Sequence, residues 1–399
     1  MILIKVIFWI LIFLIFYSYI GYGILIYIIL IIKRLLKNNS KSEQNIEVFE
    51  PKVTLFVPAY NEKDFVETKV KNGFELDYPP DKIEYIWVTD GSNDGTQNLL
   101  NKYPQIKTYH QTHRNGKIGA MNRGIQFVSN PIVIFTDANT RLNKYAIKEI
   151  VALFNDKTVG CVSGEKRINT KDAESAAGAG EGIYWKYESL LKKWDSELNS
   201  AIGAAGELFA IRTELYEGVE ADTLLDDFMI SMRIAQKGYK IKYNPNAYAV
   251  ETSSENIKEE LKRKIRISAG ALQSTIRLIK LLNPFKYPLL SFQFFSHKIL
   301  RWFFVPISLV LIFPINLILF IKCQDNYFTY IYTFLFWFQI IFYLIALFGW
   351  SLKNAKIKAK FIFVPYYIVI MNLSVFMGLH RFIKKKQSVN WDRAKRSSI

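Results

Sequence analysis

The sequence predicts an α/β fold, a mixed but mostly parallel sheet flanked by transmembrane helices. Three observations predict it. Apolar residues crowd into both ends of the 399-residue chain, while the middle has ordinary globular composition. Within that middle, short apolar β-type runs alternate with helical patterns, the rhythm of a parallel sheet covered by helices. Gly-, Asn- and Asp-rich motifs stand at the ends of the apolar runs, where such sheets hold their ligands.

The elements follow in order. Residues 6–32 are almost continuously apolar, and about 20 such residues span a bilayer. A signal peptide has a shorter apolar core and a small-residue cleavage site, so this run reads as a retained anchor. Lys33, Arg34 and Lys37 follow it, which places the next domain on the cytoplasmic side of the membrane. Residues 1–36 are therefore an anchor and 37–51 a polar linker. The globular domain covers 52–272, with strands expected at 52–58, 83–89, 106–110 and 132–136 and helices at 62–74, 95–102 and 117–128. Residues 273–300 mix Leu, Phe and Tyr with Lys, Arg and His and carry Pro284 and Pro288, the composition of an interfacial amphipathic segment. The region 301–382 holds about three apolar segments, 302–321, 327–350 and 361–380, before a basic tail at 383–399. One anchor plus three spans puts the tail outside, whereas its basic residues argue for inside; the sequence leaves both open.

The net charge of +17 does not mark a nucleic-acid binder, because no nucleic-acid motif accompanies it. The basic residues cluster beside apolar runs, at Lys353, Lys356, Lys358 and Lys360 and at Lys384, Lys385 and Lys386, which suits anionic lipid headgroups. Two cysteines, Cys161 and Cys323, exclude a disulfide framework and a zinc site of cysteines.

Each motif has a structural and a chemical reading. Val57-Pro58-Ala59-Tyr60-Asn61-Glu62 ends the first strand, and Asn61 is a candidate helix cap. The second ends in Asp90-Gly91-Ser92-Asn93-Asp94-Gly95-Thr96, where Asp90 is placed to accept hydrogen bonds from a ligand and Asp94 to cap a helix. Gly116-Lys117 at a helix start resembles a phosphate cradle but lacks the rest of a Walker A motif. Asp137-Ala138-Asn139 offers two oxygen ligands for a hard cation, or an Asx turn. Gly203-Ala204-Ala205-Gly206 permits close backbone approach or a tight turn. Asp226-Asp227 opens a helix, where the dipole alone favours acids. Arg263-Lys264-Ile265-Arg266 is a membrane-surface stripe or a diphosphate clamp. No Gly-x-Gly-x-x-Gly follows a strand, which argues against a nicotinamide dehydrogenase.

Taken in order, these motifs resemble the family 2 glycosyltransferases of GT-A fold, in particular the membrane-bound branch that contains cellulose, hyaluronan and poly-N-acetylglucosamine synthases. The resemblance implies a nucleotide-sugar donor, a lipid-linked or saccharide acceptor, and a divalent cation, Mg2+ or Mn2+. It implies that Tyr60, Glu62 and Asp90 contact the nucleoside and that Lys117 lies near the nucleotide. Asp137 and Asn139 match the DxD element that holds nucleotide and metal, Asp227 the base, and Arg266 the arginine of the QxxRW element beside the diphosphate. Two departures stand out. Asn139 replaces the second DxD acid, and the Gln and Trp of QxxRW are absent. The expectation is therefore an inverting enzyme at the cytoplasmic face of the inner membrane that transfers one or a few sugars. The rivals are a processive β-glycan synthase that extrudes its product and a catalytically silent scaffold with a nucleotide pocket.

Overall fold

The computed structural model describes residues 1–36, 49–168, 176–252, 257–323, 329–351 and 363–384. The lysines at 353–360, linker residues 37–48 and the tail from 385 lie outside them. The chain opens with α1 (Ile2–Phe16) and α2 (Tyr22–Leu36), joined by a π turn into a single helix. The domain then forms an eight-stranded sheet: β1 (Val53–Ala59), β2 (Ile83–Asp90), β3 (Ile106–Gln111), β4 (Ile132–Thr136), β5 (Arg141–Leu142), β6 (Val159–Ile168), β7 (Leu208–Arg212) and β8 (Lys240–Glu251). Between and after these run α3 (Lys63–Phe74), α4 (Thr96–Leu100), α5 (Gly116–Gly124), α6 (Ala146–Val151), α7 (Ala176–Leu198), α8 (Asp226–Gln236) and α9 (Ile257–Arg277). The chain closes with α10 (Pro288–Phe294), α11 (Val305–Lys322), α12 (Thr329–Ser351) and α13 (Phe363–Ile383).

The strand order is β3-β2-β1-β4-β7-β6-β8-β5. The first four strands are parallel, and β7 then pairs antiparallel with both β4 and β6. All seven residues of β1 are buried, which is why that stretch is apolar at every position but Thr54 instead of alternating. Successive side chains point to opposite faces. Phe56 and Phe135 pack with Met121, Phe209 and Phe228 on one face, and Leu55 and Ile134 with Ile147, Phe154 and Ala249 on the other. The four parallel strands thus bring their carboxyl ends, and the motifs behind them, to one edge.

Among the described residues four helices are long and apolar enough to cross a membrane: Ile2–Leu36, Pro288–Lys322, Thr329–Ser351 and Val364–Ile383. The stretch read from sequence as an interfacial segment behaves differently. Its first residues finish α9, and from Pro288 onward it enters the second of these helices through a π turn, Phe295–Phe304. Proline opens a helix without loss, since the first backbone N–H groups have no intrahelical partner. The charged residues of this stretch turn inward because α7 supplies partners. Asp195 takes the Tyr22 hydroxyl at 2.5 Å, the Gln293 amide at 3.0 Å and His297 Nδ1 at 2.5 Å. Glu188 takes Lys298 and, at 3.2 Å, Arg301. Helix α13 lies against α9, and a Cβ on Gly378 would stand 2.7 Å from that of Ser268.

Candidate active site

The site assembles from loops that lock one another. Asn61 and Asn93 exchange hydrogen bonds, with the Asn61 amide donating to Asn93 Oδ1 at 3.0 Å and the Asn93 N–H to Asn61 Oδ1 at 2.9 Å. Asn61 adopts φ +52°, which asparagine tolerates. It is not the helix cap that the sequence suggested. Asp94 accepts the Lys63 N–H at 3.1 Å, and it also takes the N–H of Thr96 at 2.9 Å. Above these loops the Arg114 guanidinium lies 3.6 Å over the ring of Tyr60, a flat platform at the strand ends. Glu62 sits beside it, its N–H held by Thr96 Oγ1 at 3.0 Å.

Asp90 is buried, and both its oxygens are engaged. Oδ1 accepts from Gln111 at 2.5 Å and Oδ2 from the Asn115 N–H at 2.9 Å. It therefore fixes the turn that opens α5 and presents Lys117. A carboxylate has about four acceptor positions, so a ligand contact is additional to this bracing.

Lys117 joins the two halves of the site. Its Nζ is 2.8 Å from Asp137 Oδ1 and 3.3 Å from Asp226 Oδ2. Burial opposes its charge, but Asp137, Asp226 and Asp227 outweigh burial and raise its pKa. The pKa of Asp137 is also raised, by burial first, with Lys117 drawing it back. Asn139 is half-buried, and its amide has no partner among the described residues. The Asp137 loop is held from beneath by Lys69 of α3. That ammonium donates to Thr136 Oγ1 and to the Thr140 carbonyl, each at 2.8 Å, and to Thr140 Oγ1 at 3.1 Å. Three neutral oxygens satisfy its three donors, yet burial lowers its pKa to about 7.

Asp227 lies in the first turn of α8. Its Oδ2 would stand 3.0 Å from a Cβ on Gly206, so that glycine leaves room for the carboxylate. Burial, the neighbouring Asp226 and Glu207 push its pKa up to about 7 against the pull of Lys117. Helix α9 steadies the loop before it: the Leu224 N–H donates to Gln273 Oε1 at 3.0 Å, and Arg277 pairs with Asp222 at 2.7 Å. About two helical turns back along α9, Arg266 is half-buried and loses basicity to desolvation, while Asp226, Asp227 and Asp137 support its charge.

The structure thus brings Lys117, Asp137, Asp226, Asp227 and Arg266 into one charged cluster, with Tyr60, Glu62 and Asp90 at the neighbouring strand ends. The ion pairs beside this cluster had no individual signal in the sequence. Glu207 accepts from Lys166 at 2.6 Å, and Lys166 in turn donates to the buried Glu251 at 2.5 Å. Burial raises the pKa of Glu207, but Lys166 lowers it by more. A lysine inside the buried run of β6 was the available hint. Among the described residues no three His, Cys, Asp or Glu side chains form a cage for a metal. Asp137 and Asp226 nevertheless present hard oxygen donors around one ammonium, and the half-buried Asn139 lies two residues after Asp137. That donor set suits a cation which completes its shell with phosphate and water.

Comparison with known proteins adds to this geometry. Residues 54–218 match the family model described as Glycosyl transferase family 2. A Bacillus subtilis (strain 168) protein named probable glycosyltransferase YdaM is 25% identical over 385 residues, 90% of each chain. The poly-beta-1,6-N-acetyl-D-glucosamine synthase of Staphylococcus aureus (strain MSSA476) is 26% identical over 278 residues, 67% of this chain and 66% of that one. The mannosyltransferase PcManGT from Pyrobaculum calidifontis, solved with GDP-Man and Mn2+, shares the fold at a TM-score of 0.68 and 22% identity, covering 96% of this chain and 100% of that one.

Proposed function

We propose that the chain is a membrane-bound inverting glycosyltransferase of family 2 and GT-A fold, related to polysaccharide synthases. It takes a sugar from a nucleotide-sugar, UDP-linked by preference, and places it on a hydroxyl of a lipid-linked or saccharide acceptor. The domain works at the cytoplasmic face of the inner membrane, where Lys33 and Arg34 hold it. The observation that carries this reading is Asp227, a carboxylate poised near neutrality beside the Lys117–Asp137 pair.

The Tyr60–Arg114 platform and Glu62 receive the nucleoside, with Asp90 bracing the loop beneath. Lys117 and Arg266 neutralise the diphosphate. Asp137 and Asn139, with Asp226 close by, would hold a Mg2+ or Mn2+ ion, which when bound supplies further charge stabilisation to the departing diphosphate. Asp227 removes the acceptor proton as the hydroxyl oxygen attacks the anomeric carbon. The carbon–oxygen bond to the diphosphate breaks, its electron pair leaves with the nucleotide, and one displacement inverts the centre. Carboxylate ligands near developing negative charge need this surplus of cations to be useful.

The test is Asp227→Asn in the full-length protein, followed by donor cleavage and donor binding together. Loss of cleavage with binding retained supports the assignment, and unimpaired turnover removes it. A processive synthase is the second reading, favoured by the poly-N-acetylglucosamine synthase relative. Product length from purified enzyme separates the two.

A further inference from the structure

Helix α7 turns one stripe of side chains inward, Trp185, Glu188, Lys192 and Asp195, at the spacing of successive helical turns. The last three are buried, and Trp185 stays half-buried. Two ammonium groups fix its ring. Lys166 Nζ of β6 stands 5.4 Å from a ring centre of the indole and Lys264 Nζ of α9 5.9 Å, both within cation–π range. The same Lys166 Nζ lies 2.6 Å from Glu207 Oε1. One ammonium therefore keeps the indole and the Glu207 carboxylate within the span of a single sugar residue.

This group adjoins the proposed base. Gly206, whose Cβ would stand 3.0 Å from Asp227 Oδ2, is the residue before Glu207, and the Glu207 carbonyl accepts from Thr136 Oγ1 at 3.0 Å, beside Asp137. Lys264 lies two residues before Arg266 on α9. The group also lies across the sheet from the nucleoside platform. Tyr60 follows β1 and Asp90 ends β2, whereas Glu207 leads into β7 and Lys166 and Glu251 belong to β6 and β8. In the strand order β4 separates the two sets, and Asp137 follows β4. The charges around the indole are balanced. Lys166 meets Glu207 and Glu251, and Glu260 meets Arg263 at 2.9 Å and Lys264 at 3.6 Å. Lys166, Glu251 and Glu260 are buried, while Trp185, Glu207 and Lys264 keep part of their surface exposed. That exposed layer offers an aromatic surface and hydrogen-bonding groups with no surplus charge.

We propose that Trp185 is the floor of the acceptor site and receives a neutral pyranose of a saccharide acceptor whose hydroxyl faces Asp227. This rests on the proposed function, with Asp227 as the base, because the molecule that meets the base is the acceptor. The donor occupies the β1–β2 side, with Lys117 and Arg266 on its diphosphate, so the surface beyond the base on the β6–β8 side is left to the acceptor. A pyranose has an apolar C–H face and a rim of hydroxyls. The face lies on the indole, and the rim hydrogen-bonds to Glu207 and Lys264. A ring held in place beforehand loses little freedom when a ligand lands on it. An anionic sugar would meet the Glu207 carboxylate with no surplus cation to receive it. The bonds made and broken are those already given.

The experiment is saturation-transfer difference NMR on the purified full-length protein in micelles of a sugar-free detergent. The probes are chitobiose, cellobiose and mannobiose, with digalacturonate as the anionic counterpart. The wild type should bind at least one neutral disaccharide saturably, with transfer strongest at the ring C–H protons, and digalacturonate at least about 10-fold more weakly. Trp185→Leu, which keeps an apolar side chain without a π face, should weaken disaccharide binding at least about 10-fold, and Trp185→Tyr should retain most of it. Absence of neutral disaccharide binding by the wild type overturns the proposal. So does equal binding by Trp185→Leu and wild type, or a loss in Trp185→Tyr as large as that in Trp185→Leu at matched Tm. Digalacturonate binding as tightly as the neutral sugars overturns the neutral class. UDP and GDP binding and donor cleavage by the wild type test the enzymatic reading separately, so the two failures are distinguishable.

Discussion

The ammonium of Lys117 stands 2.8 Å from Oδ1 of Asp137, so the loop after β4 is neutralised from within the protein before a ligand arrives. The same ammonium faces Asp226 at 3.3 Å, which ties the start of α5 and the loop after β4 to the helix that carries Asp227.

Lys117→Met should therefore leave Asp137, Asp226 and Asp227 mutually repelling. Donor affinity should fall about 10–100-fold, the worth of a charge-assisted hydrogen bond. The Tm of this variant should fall too, and Mn2+ should raise it more than it raises the wild-type Tm. Thermal unfolding with and without chelator measures this. An equal Mn2+ response in both proteins would mean that Asp137 and Asp226 do not share the cation.

The pKa of Asp227, raised to about 7, has consequences of two signs. As a base it works ionised, so kcat should rise with pH through about 7. Asp227→Asn should cost about 10²–10⁴-fold in transfer. For stability, the folded state holds this proton more tightly than the unfolded state, whose value is the ordinary 3.8. Stability is therefore lost as pH rises from there through about 7. Asp227→Asn, which carries no charge, should show a higher Tm than wild type at pH 8 and little difference at pH 4.

Lys69 shows the opposite shift, lowered from 10.5 to about 7. Its folded form binds the proton less tightly than the unfolded form, so wild-type stability should rise as pH increases from about 7 toward 10. Lys69→Met should flatten that rise. It should also release Thr136 and Thr140 and raise the donor KM, with misplacement of about 1 Å costing up to about 10²-fold. Tm against pH, together with donor kinetics, checks both.

Gly206→Ala is the smallest perturbation available at the base. The new methyl would stand 3.0 Å from Asp227 Oδ2 and must displace that oxygen. The expected result is a lower kcat with nearly unchanged donor KM, since Gly206 faces the base and not the nucleoside platform. A raised donor KM with normal kcat would place the glycine elsewhere in the cycle.

The parallel half of the sheet was legible because buried strands are written as continuous apolar runs, as in β1 and β4. The charged cluster was legible through the order of its motifs. What the sequence hid is pairing across distance. Nothing near Lys117 announces Asp226 more than a hundred residues later, and nothing in β6 announces that Lys166 meets Glu207 and Glu251. The role of 288–304 was hidden for the same reason. Its mixture of apolar and basic residues suits a membrane surface until Glu188 and Asp195 of α7 are seen to complete it.

Arg266 rides on α9, and α9 is wedged against α13 at a place where only a glycine fits, Gly378 facing Ser268 and the Ile265 carbonyl. Gly378→Ala should already shift α9 and lower donor cleavage, and Gly378→Leu should lower it further. Because α13 is itself long and apolar enough to span the hydrocarbon layer, its tilt answers to the thickness of that layer. On the role proposed for Arg266 beside the diphosphate, turnover should depend on lipid chain length, and turnover in bilayers of graded thickness measures that dependence.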